Sequence, residues 1–469
     1  MMPISPEEMK ALDENCRYFG LLPLQLMENA GSALAREILA WKDAGSIAIV
    51  AGRGNNGGDA FAASRHLDGH KVTLFLIGRS RDISTEDARQ NWKILKNMNF
   101  DIKEVADTSD LSHLSEYDLV VDALFGTGVR GPVRGLEASA IDAMNSAHRP
   151  VISVDVPSGL GTNKEVKPDL TVTFHRPKTG MTGNVKIADI GIPEKAEYLV
   201  GPGDLHLLGT KSPDSHKGNS GYILVIGGGP YTGAPALTAM AALRAGADVV
   251  TVATPKSSSK TIAGFSPDLI VRELSSDVLC PDDLGTIKEL ISRHDVVVVG
   301  NGLGRAPETH EALEKLLPWC NKAVIDADAL LPDLPLKGIV TPHAGEFRRI
   351  SSIELPAEHQ PLYEERIEPI KKYAREHELV VLVKGRVDII SDGRAARGNT
   401  TGNPGMTVGG TGDVLAGITG AFYSIAPAMR SAVAAAFISG WAGDLAFEDK
   451  GDSLMATDVI EKIPLAMKI

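Results

Sequence analysis

The sequence predicts an α/β protein of two domains, the first a doubly wound parallel sheet. Three observations carry this. Short runs that are apolar throughout, instead of alternating with period two, recur along the chain and read as strands buried on both faces. Helix-like segments separate them, which is the element order of doubly wound folds. The chain has 469 residues, more than one hydrophobic core usually serves.

The first element is a helix. In "ISPEEMKAL" Ser5 is placed to cap, Pro6 takes the first helical position, and Glu8 completes a capping box. Strand-like runs follow in "SIAIVAG", "KVTLFLIG", "LVVDALFG", "PVISVDVPSG" and "DLTVTFHRP". From 193 to 218 the chain turns rich in Gly, Pro, Ser and charge and reads as a connector, which sets the domains at 1–210 and 211–469. Strand-like runs resume with "GYILVIGGG", "ADVVTVATP", "DVVVVGNGLG", "KAVIDADAL", "GIVTPHAGE" and "LVVLVKGRVDIISDG". Between them "APALTAMAALRAGA" is an alanine-rich helix suited to close packing. No motif is shared by the halves, so a duplicated domain is not supported.

With 43% hydrophobic and 23% charged residues the composition is that of a soluble globular protein, expected to be cytoplasmic. A net charge of −12 argues against nucleic-acid or membrane partners, while a small anionic substrate remains compatible through local amides and lysines. Cys16, Cys280 and Cys320 are far apart, so neither a disulfide framework nor a zinc site is expected. The amino terminus lacks a basic stretch followed by an apolar run, and no window is apolar enough for a membrane span. Symmetric self-association into a homo-oligomer is expected for such folds.

Chemistry concentrates at strand ends. "VAGRGNNGGDAF" follows a strand and opens a helix, and Gly52, Gly54 and Gly57 satisfy G-x-G-x-x-G, a weak dinucleotide signal by itself. Arg79, after the second strand run, reads either as a partner for a 2′-phosphate or as a solvated turn residue. Asn55, Asn56 and Asp59 inside the glycine turn supply oxygens that suit a hard cation or a polar ring substituent. Asp122 and Asp155 end two further strand runs, and with Asn56 and Ser158 they converge on one crevice if the strands are parallel. "GTGVRGP" offers amides and Arg130 to a phosphate, or is only a flexible loop.

In the second half "MTVGGTGDVLAG" runs Gly409, Gly410, Thr411 and Gly412 directly into Asp413 and an apolar helix. Such a turn aims unpaired N–H groups at one point, and the helix end adds partial positive charge, making a phosphate cradle. Asp413 is then either a helix cap or a base for a hydroxyl proton.

"GNNGGDAF", "VDALFGTG" and "DVPSG" resemble the amino-terminal epimerase domain of the bifunctional NAD(P)H-hydrate repair enzymes. That resemblance implies potassium at Asn56, Asp122 and Ser158, and contact with the hydrated dinucleotide through Asn55, Asn56, Gly57, Gly58 and Asp59 and through Gly126, Thr127, Gly128, Val129, Arg130, Gly131 and Pro132, with Asp155 as acid/base. Ala60 stands where glycine is usual. "YTGAPALTAMAALRAGAD", "VVGNGLG", "TPHAGEF", "VLVKGRVD" and "GNTTGNPGMTVGGTGDVLAG" resemble, in that order, the ADP-dependent NAD(P)H-hydrate dehydratases of ribokinase-like fold. Here the resemblance implies that Asp413 takes the ring-hydroxyl proton and that Ala234, Gly304, His343 and Asp413 meet NADHX or NADPHX. ADP would be held by Lys384, Gly385, Arg386, Val387, Asp388, Gly409, Gly410, Thr411 and Gly412. Glu346 would order magnesium or cap the next helix. Asn301 replaces a usual proline, and Leu331 a usual asparagine. Two other readings stay open: a small-metabolite kinase whose first domain senses a dinucleotide, and an inactive nucleotide-binding scaffold carrying an interaction module.

Overall fold

The computed structural model describes residues 2–41, 45–209, 221–357 and 363–468. The chain divides into two compact units, Met1–Glu194 and Lys195–Ile469. The sequence places the boundary at 210/211, whereas the two units divide at 194/195. Part of the predicted connector belongs to the second unit, because Arg397 grips Asp204 with two bonds of 2.8 Å and Leu199 bridges to Gly398. The part at 210–218 lies outside the described residues.

The first unit is a seven-stranded parallel sheet. Its strands are β1 (Ser46–Ala51), β2 (Lys71–Ile77), β3 (Ile102–Val105), β4 (Leu119–Ala123), β5 (Val151–Val154), β6 (Leu170–Phe174) and β7 (Val185–Ala188). Their order is β3-β2-β1-β4-β5-β6-β7, so the winding reverses between β1 and β4 and a crevice opens beyond their carboxyl ends. The five strand runs read from sequence are the buried ones; β3 and β7 were missed because both are four-residue edge strands that bury only their last residue.

Helix α1 (Pro6–Tyr18) starts as expected, with Glu8 N bonded to Ser5 Oγ at 3.1 Å and Ser5 N to Glu8 Oε2 at 3.0 Å. Backbone bonds of Ile4 to Pro177 and Thr179 pin its approach to the loop after β6. Helix α2 (Pro23–Ala40) packs on helix α3 (Asn55–His66), which begins directly after β1. A Cβ at Gly57 would lie 2.0 Å from the Gly52 carbonyl oxygen, so the start of α3 sits this close to the end of β1 only with glycine there.

The second unit holds a nine-stranded sheet. The strands are β8 (Tyr222–Ile226), β9 (Val249–Thr254), β10 (Ile270–Glu273), β11 (Val296–Val299), β12 (Ala323–Ile325), β13 (Ile339–Val340), β14 (Val380–Val383), β15 (Asp388–Ser391) and β16 (Ala396–Asn399). In the order β10-β9-β8-β11-β12-β13-β14-β15-β16 all pairs are parallel up to β14, and the last two are antiparallel. The run "LVVLVKGRVDIISDG" is thus a hairpin of two strands and not one strand, turned at Gly385 and Arg386. Helices Gly233–Arg244, Thr411–Ile425 and Ala428–Lys450 form one core with Val225, Val298 and Phe437, and their alanines allow close approach. Leu313, Phe347 and Ile370 fill the other face. Among the described residues no helix is long and apolar enough to cross a membrane.

Candidate active sites

In the first unit an oxygen cluster forms where β1, β4 and β5 end. Asp122 is fully buried and accepts from Ser153 Oγ at 2.7 Å, Ser158 N at 2.9 Å and Leu124 N at 3.3 Å, as well as from the Ser158 hydroxyl. Asn56 donates to the Phe125 carbonyl at 3.0 Å, and that carbonyl lies 3.3 Å from Ser158 Oγ. The structure therefore brings Asn56, Asp122 and Ser158 together. Burial raises the Asp122 carboxyl above its ordinary value while the serine and backbone bonds act against the rise. Among the described residues no lysine or arginine pairs with it, and the oxygens of Asp122, Ser158 and the Phe125 carbonyl gathered there suit an alkali cation.

Asp155 follows β5 with φ at +62°, a left-handed conformation rare outside glycine and common where function imposes strain. Its Oδ1 accepts from Lys178 Nζ, from Phe174 N at 3.2 Å and from Thr173 Oγ1 at 3.3 Å. Among the described residues none donates to Oδ2. Lys178 is buried and also donates to the Phe174 carbonyl at 2.8 Å. Two more carboxyls face this pair. On α1, desolvation and the Asp155 charge push the Asp13 carboxyl up to about 7, against the pull of Lys178. Asp59 on α3 is raised well above the carboxylate range by burial and by Asp155, with Lys178 again opposing.

Sequence reasoning missed Lys178 and Asp13. Lys178 closes "TFHRPK" just past a strand, a placement that flags it, whereas Asp13 looks like any acid on a helix. Of the expected contacts, Asn55 opens α3 in an exposed position, Gly57 and Gly58 are buried beneath it, and residues 126–132 form an open loop in which Arg130 pairs with Glu7 at 3.5 Å. Arg79 is exposed.

The second unit carries a cavity of about 580 Å³ beyond the ends of β8, β11 and β12. Its lining includes Tyr231, Ala234, Gly302, Asp328, Gly409, Gly410 and Asp413. Helix Thr411–Ile425 begins there after Gly410, whose φ is +102°; a Cβ would meet Leu237 at 2.7 Å. The first intrahelical bond is donated by Val414 to Gly410, so the N–H groups of Thr411, Gly412 and Asp413 have no acceptor within the helix. The Thr411 hydroxyl instead closes the turn on Met406 O at 2.8 Å.

Asp413 Oδ1 accepts from Asn301 Nδ2 at 2.7 Å, and among the described residues none donates to Oδ2. Burial pushes its carboxyl up to about 6; the Asp326 and Asp328 charges add to this, while the Asn301 bond and Lys384 oppose it. Asp326, absent from the expected residues although "VIDADAL" places it after a strand, accepts from Thr341 and Lys384 at 2.9 Å and from Asn301 at 3.1 Å. Burial pulls the Lys384 ammonium down, but Asp326 and Glu346 outweigh this and hold it above the usual lysine range.

The remaining expected residues lie around this core, some in structural roles. Gly304 N donates to Asp328 at 2.9 Å. His343 caps helix Ala344–Ser351, its Nδ1 accepting from Gly345 N at 3.0 Å, and His343 N donates to Glu346 Oε2 at 2.8 Å. That arrangement places the His343 proton on Nε2. Asp388 closes the hairpin through Gly385 N and Asn399. Val387, expected at the nucleotide, has a buried side chain. Gly412 lies against Lys384, since a Cβ on it would come within 3.3 Å of Nζ. Leu331, where asparagine was expected, packs half-buried on the apolar core.

A dinucleotide-type crevice in one unit and a glycine-turn anion cradle with a poised carboxylate in the other define a two-site nucleotide enzyme. Comparison with known proteins specifies it: residues 23–180 match the family model for the YjeF-related protein N-terminus, and residues 223–465 the model for NAD(P)H-hydrate dehydratase. The bifunctional NAD(P)H-hydrate repair enzyme Nnr of Archaeoglobus fulgidus is 45% identical over 99% of this chain and 98% of its own length. That of Methanothermobacter thermautotrophicus is 42% identical over 99% and 95%. The chain belongs to the bifunctional NAD(P)H-hydrate repair enzymes. A ribokinase-like protein from Enterococcus faecalis matches 58% of this chain and 95% of its own at 25% identity with a TM-score of 0.50. The ADP/ATP-dependent NAD(P)H-hydrate dehydratase from Bacillus subtilis matches 57% and 95% at 23% identity, also with a TM-score of 0.50, and bears out the ribokinase-like fold.

Proposed function

We propose that the first unit interconverts the R and S forms of NADHX and NADPHX, and that the second dehydrates the S form at the expense of ADP, giving AMP, phosphate and NADH or NADPH. The observation that carries this reading is Asp413: a carboxylate held by one oxygen, with no donor to the other among the described residues, at a helix start whose first three amides have no acceptor within the helix. As the ring hydroxyl attacks the β-phosphorus of ADP, Asp413 takes its proton, and the amides of Thr411, Gly412 and Asp413 neutralise the transferring phosphoryl group. AMP leaves. The phosphorylated hydroxyl is then expelled as phosphate by the ring-nitrogen lone pair, and loss of a proton restores the dihydropyridine. Lys384, beside Glu346 and Gly412, is the cation next to the nucleotide. Magnesium bound near Glu346 would neutralise diphosphate charge.

In the first unit Asp155 works through Oδ2, with Lys178 fixing Oδ1, and moves the proton that opening and reclosing of the hydrated ring requires. Potassium at Asn56, Asp122 and Ser158 would balance the buried Asp122 charge and set the loop of residues 126–132 against the dinucleotide. Incubation with hydrated NADH, ADP, magnesium and potassium, followed by dihydronicotinamide absorbance, tests the whole reading. Recovery from both epimers is expected; accumulation of a stable phosphorylated product would make the second unit a small-metabolite kinase instead.

A further inference from the structure

Asn301 stands in the turn after β11 and is fully buried. Its single amide nitrogen donates to two carboxylates at once, Asp413 Oδ1 at 2.7 Å and Asp326 Oδ2 at 3.1 Å. Reversing the amide would aim its oxygen at both acids, so electrostatics alone fixes which end faces them. The cost is visible: among the described residues Asn301 Oδ1 is buried without a partner. A buried acceptor left unpaired calls for an explanation, and side chains placed only for packing avoid it. Proline, the residue usual here in the family this chain resembles, has no side-chain donor and could not make either bond.

We propose that Asn301 is a positioning residue for the dehydration step, holding Asp413 by Oδ1 so that Oδ2 faces the substrate hydroxyl, and standing as a neutral spacer between Asp413 and Asp326. This rests on the reading of Asp413 as the base. The groups facing Asp413 come from four places in the fold: Asn301 after β11, Asp326 at the end of β12, Asp328 just beyond it, and Lys384 at the end of β14. Asp326 and Asp328 favour the protonated carboxyl, and so does burial; Lys384 and Asn301 favour the anion. Among these Asn301 is the only one in hydrogen bond with Asp413. Without it Asp413 is free to rotate, and it stays protonated to higher pH.

The test is the pH dependence of dehydration by the full chain, with S-form hydrated NADH, ADP and magnesium, for wild type, Asn301→Ala, Asn301→Asp and Asp413→Asn. Asn301→Ala is expected to lower kcat about tenfold at neutral pH, to leave KM for both substrates within about threefold, and to move the acidic limb up by about one pH unit. Asn301→Asp sets a third carboxylate against the other two and moves that limb further still. If Asn301→Ala fails to fold, as thermal unfolding would show, the near-isosteric Asn301→Asp gives the same reading. An acidic limb that stays in place in the folded variants overturns the proposal, whatever happens to kcat, because a merely structural asparagine would lower turnover without moving it. Turnover that survives Asp413→Asn removes the base itself and the proposal with it. Loss of turnover in Asp413→Asn with an unmoved limb in the Asn301 variants removes only the positioning role.

Discussion

A carboxylate kept where it is needed for chemistry should weaken the fold that holds it, and Asp413→Asn measures by how much. The Asp413 carboxyl moves from an ordinary 3.8 to about 6 on folding. At about 1.4 kcal/mol per pH unit, ionising it in the folded state costs roughly 3 kcal/mol, taken here as an upper bound because Asp413 keeps some solvent contact. The sign follows from proton binding. Between 3.8 and about 6 the folded chain binds the proton more tightly than the unfolded chain, so stability falls as pH rises through that window and the loss is complete above it. Asparagine has no charge to desolvate and still accepts the Asn301 bond. Asp413→Asn should therefore stabilise the second unit by about 1–3 kcal/mol near pH 7.5, raising its unfolding temperature by roughly 2–8 °C, with the gain shrinking towards zero near pH 4. It should also abolish dehydration and leave epimerisation intact. Thermal unfolding of both proteins between those pH values reads this out. A variant less stable than wild type at pH 7.5, or a gain independent of pH, would refute the argument that desolvation poises this acid.

Further expectations concern the first unit. Lys178→Met should leave Asp155 without its buried partner, destabilising this unit by about 2–4 kcal/mol in urea unfolding and cutting R-epimer conversion at least tenfold, while dehydration of the S form continues. Gly57→Ala, whose Cβ would meet the Gly52 carbonyl, should cost about 2–3 kcal/mol in the same unfolding assay. Replacing potassium chloride with choline chloride should lower the unfolding temperature of the first unit by a few degrees; Asp122→Asn should abolish that difference, and a wild type indifferent to the exchange would disprove the cation site.

Apolar strand runs were legible because a strand buried on both faces has no polar residues to break the pattern, as in the fully buried "VVVV" of β11. Edge strands such as β3 and β10 were not, since their side chains answer to solvent, and in β10 no residue is buried. In the same way the site was legible wherever local chemistry is unusual: glycines crowding Asp413, amides beside Asp59, acids directly after strands. What sequence hid are partners supplied by topology. Asp13 lies within reach of the Asp155 charge, with the bonds of Ile4 to Pro177 and Thr179 tying the approach of α1 to the loop beside Lys178. Asn301 reaches Asp413 across 112 positions. Neither distance along the chain nor residue type announces such a pairing.

The two sites share one solution to a common difficulty. A base beside a phosphate or another acid tends to hold its proton, and a carboxylate free to rotate meets its substrate only part of the time. In each unit one carboxylate oxygen is occupied from behind, by Lys178, Thr173 and Phe174 N at Asp155 and by Asn301 at Asp413, and among the described residues none donates to the other. A buried lysine stands close by in both, bonded to Asp155 itself in the first unit and to Asp326 in the second. In the second unit the lysine is one residue removed, bonded to Asp326, so burial prevails at Asp413 and pushes its carboxyl up to about 6.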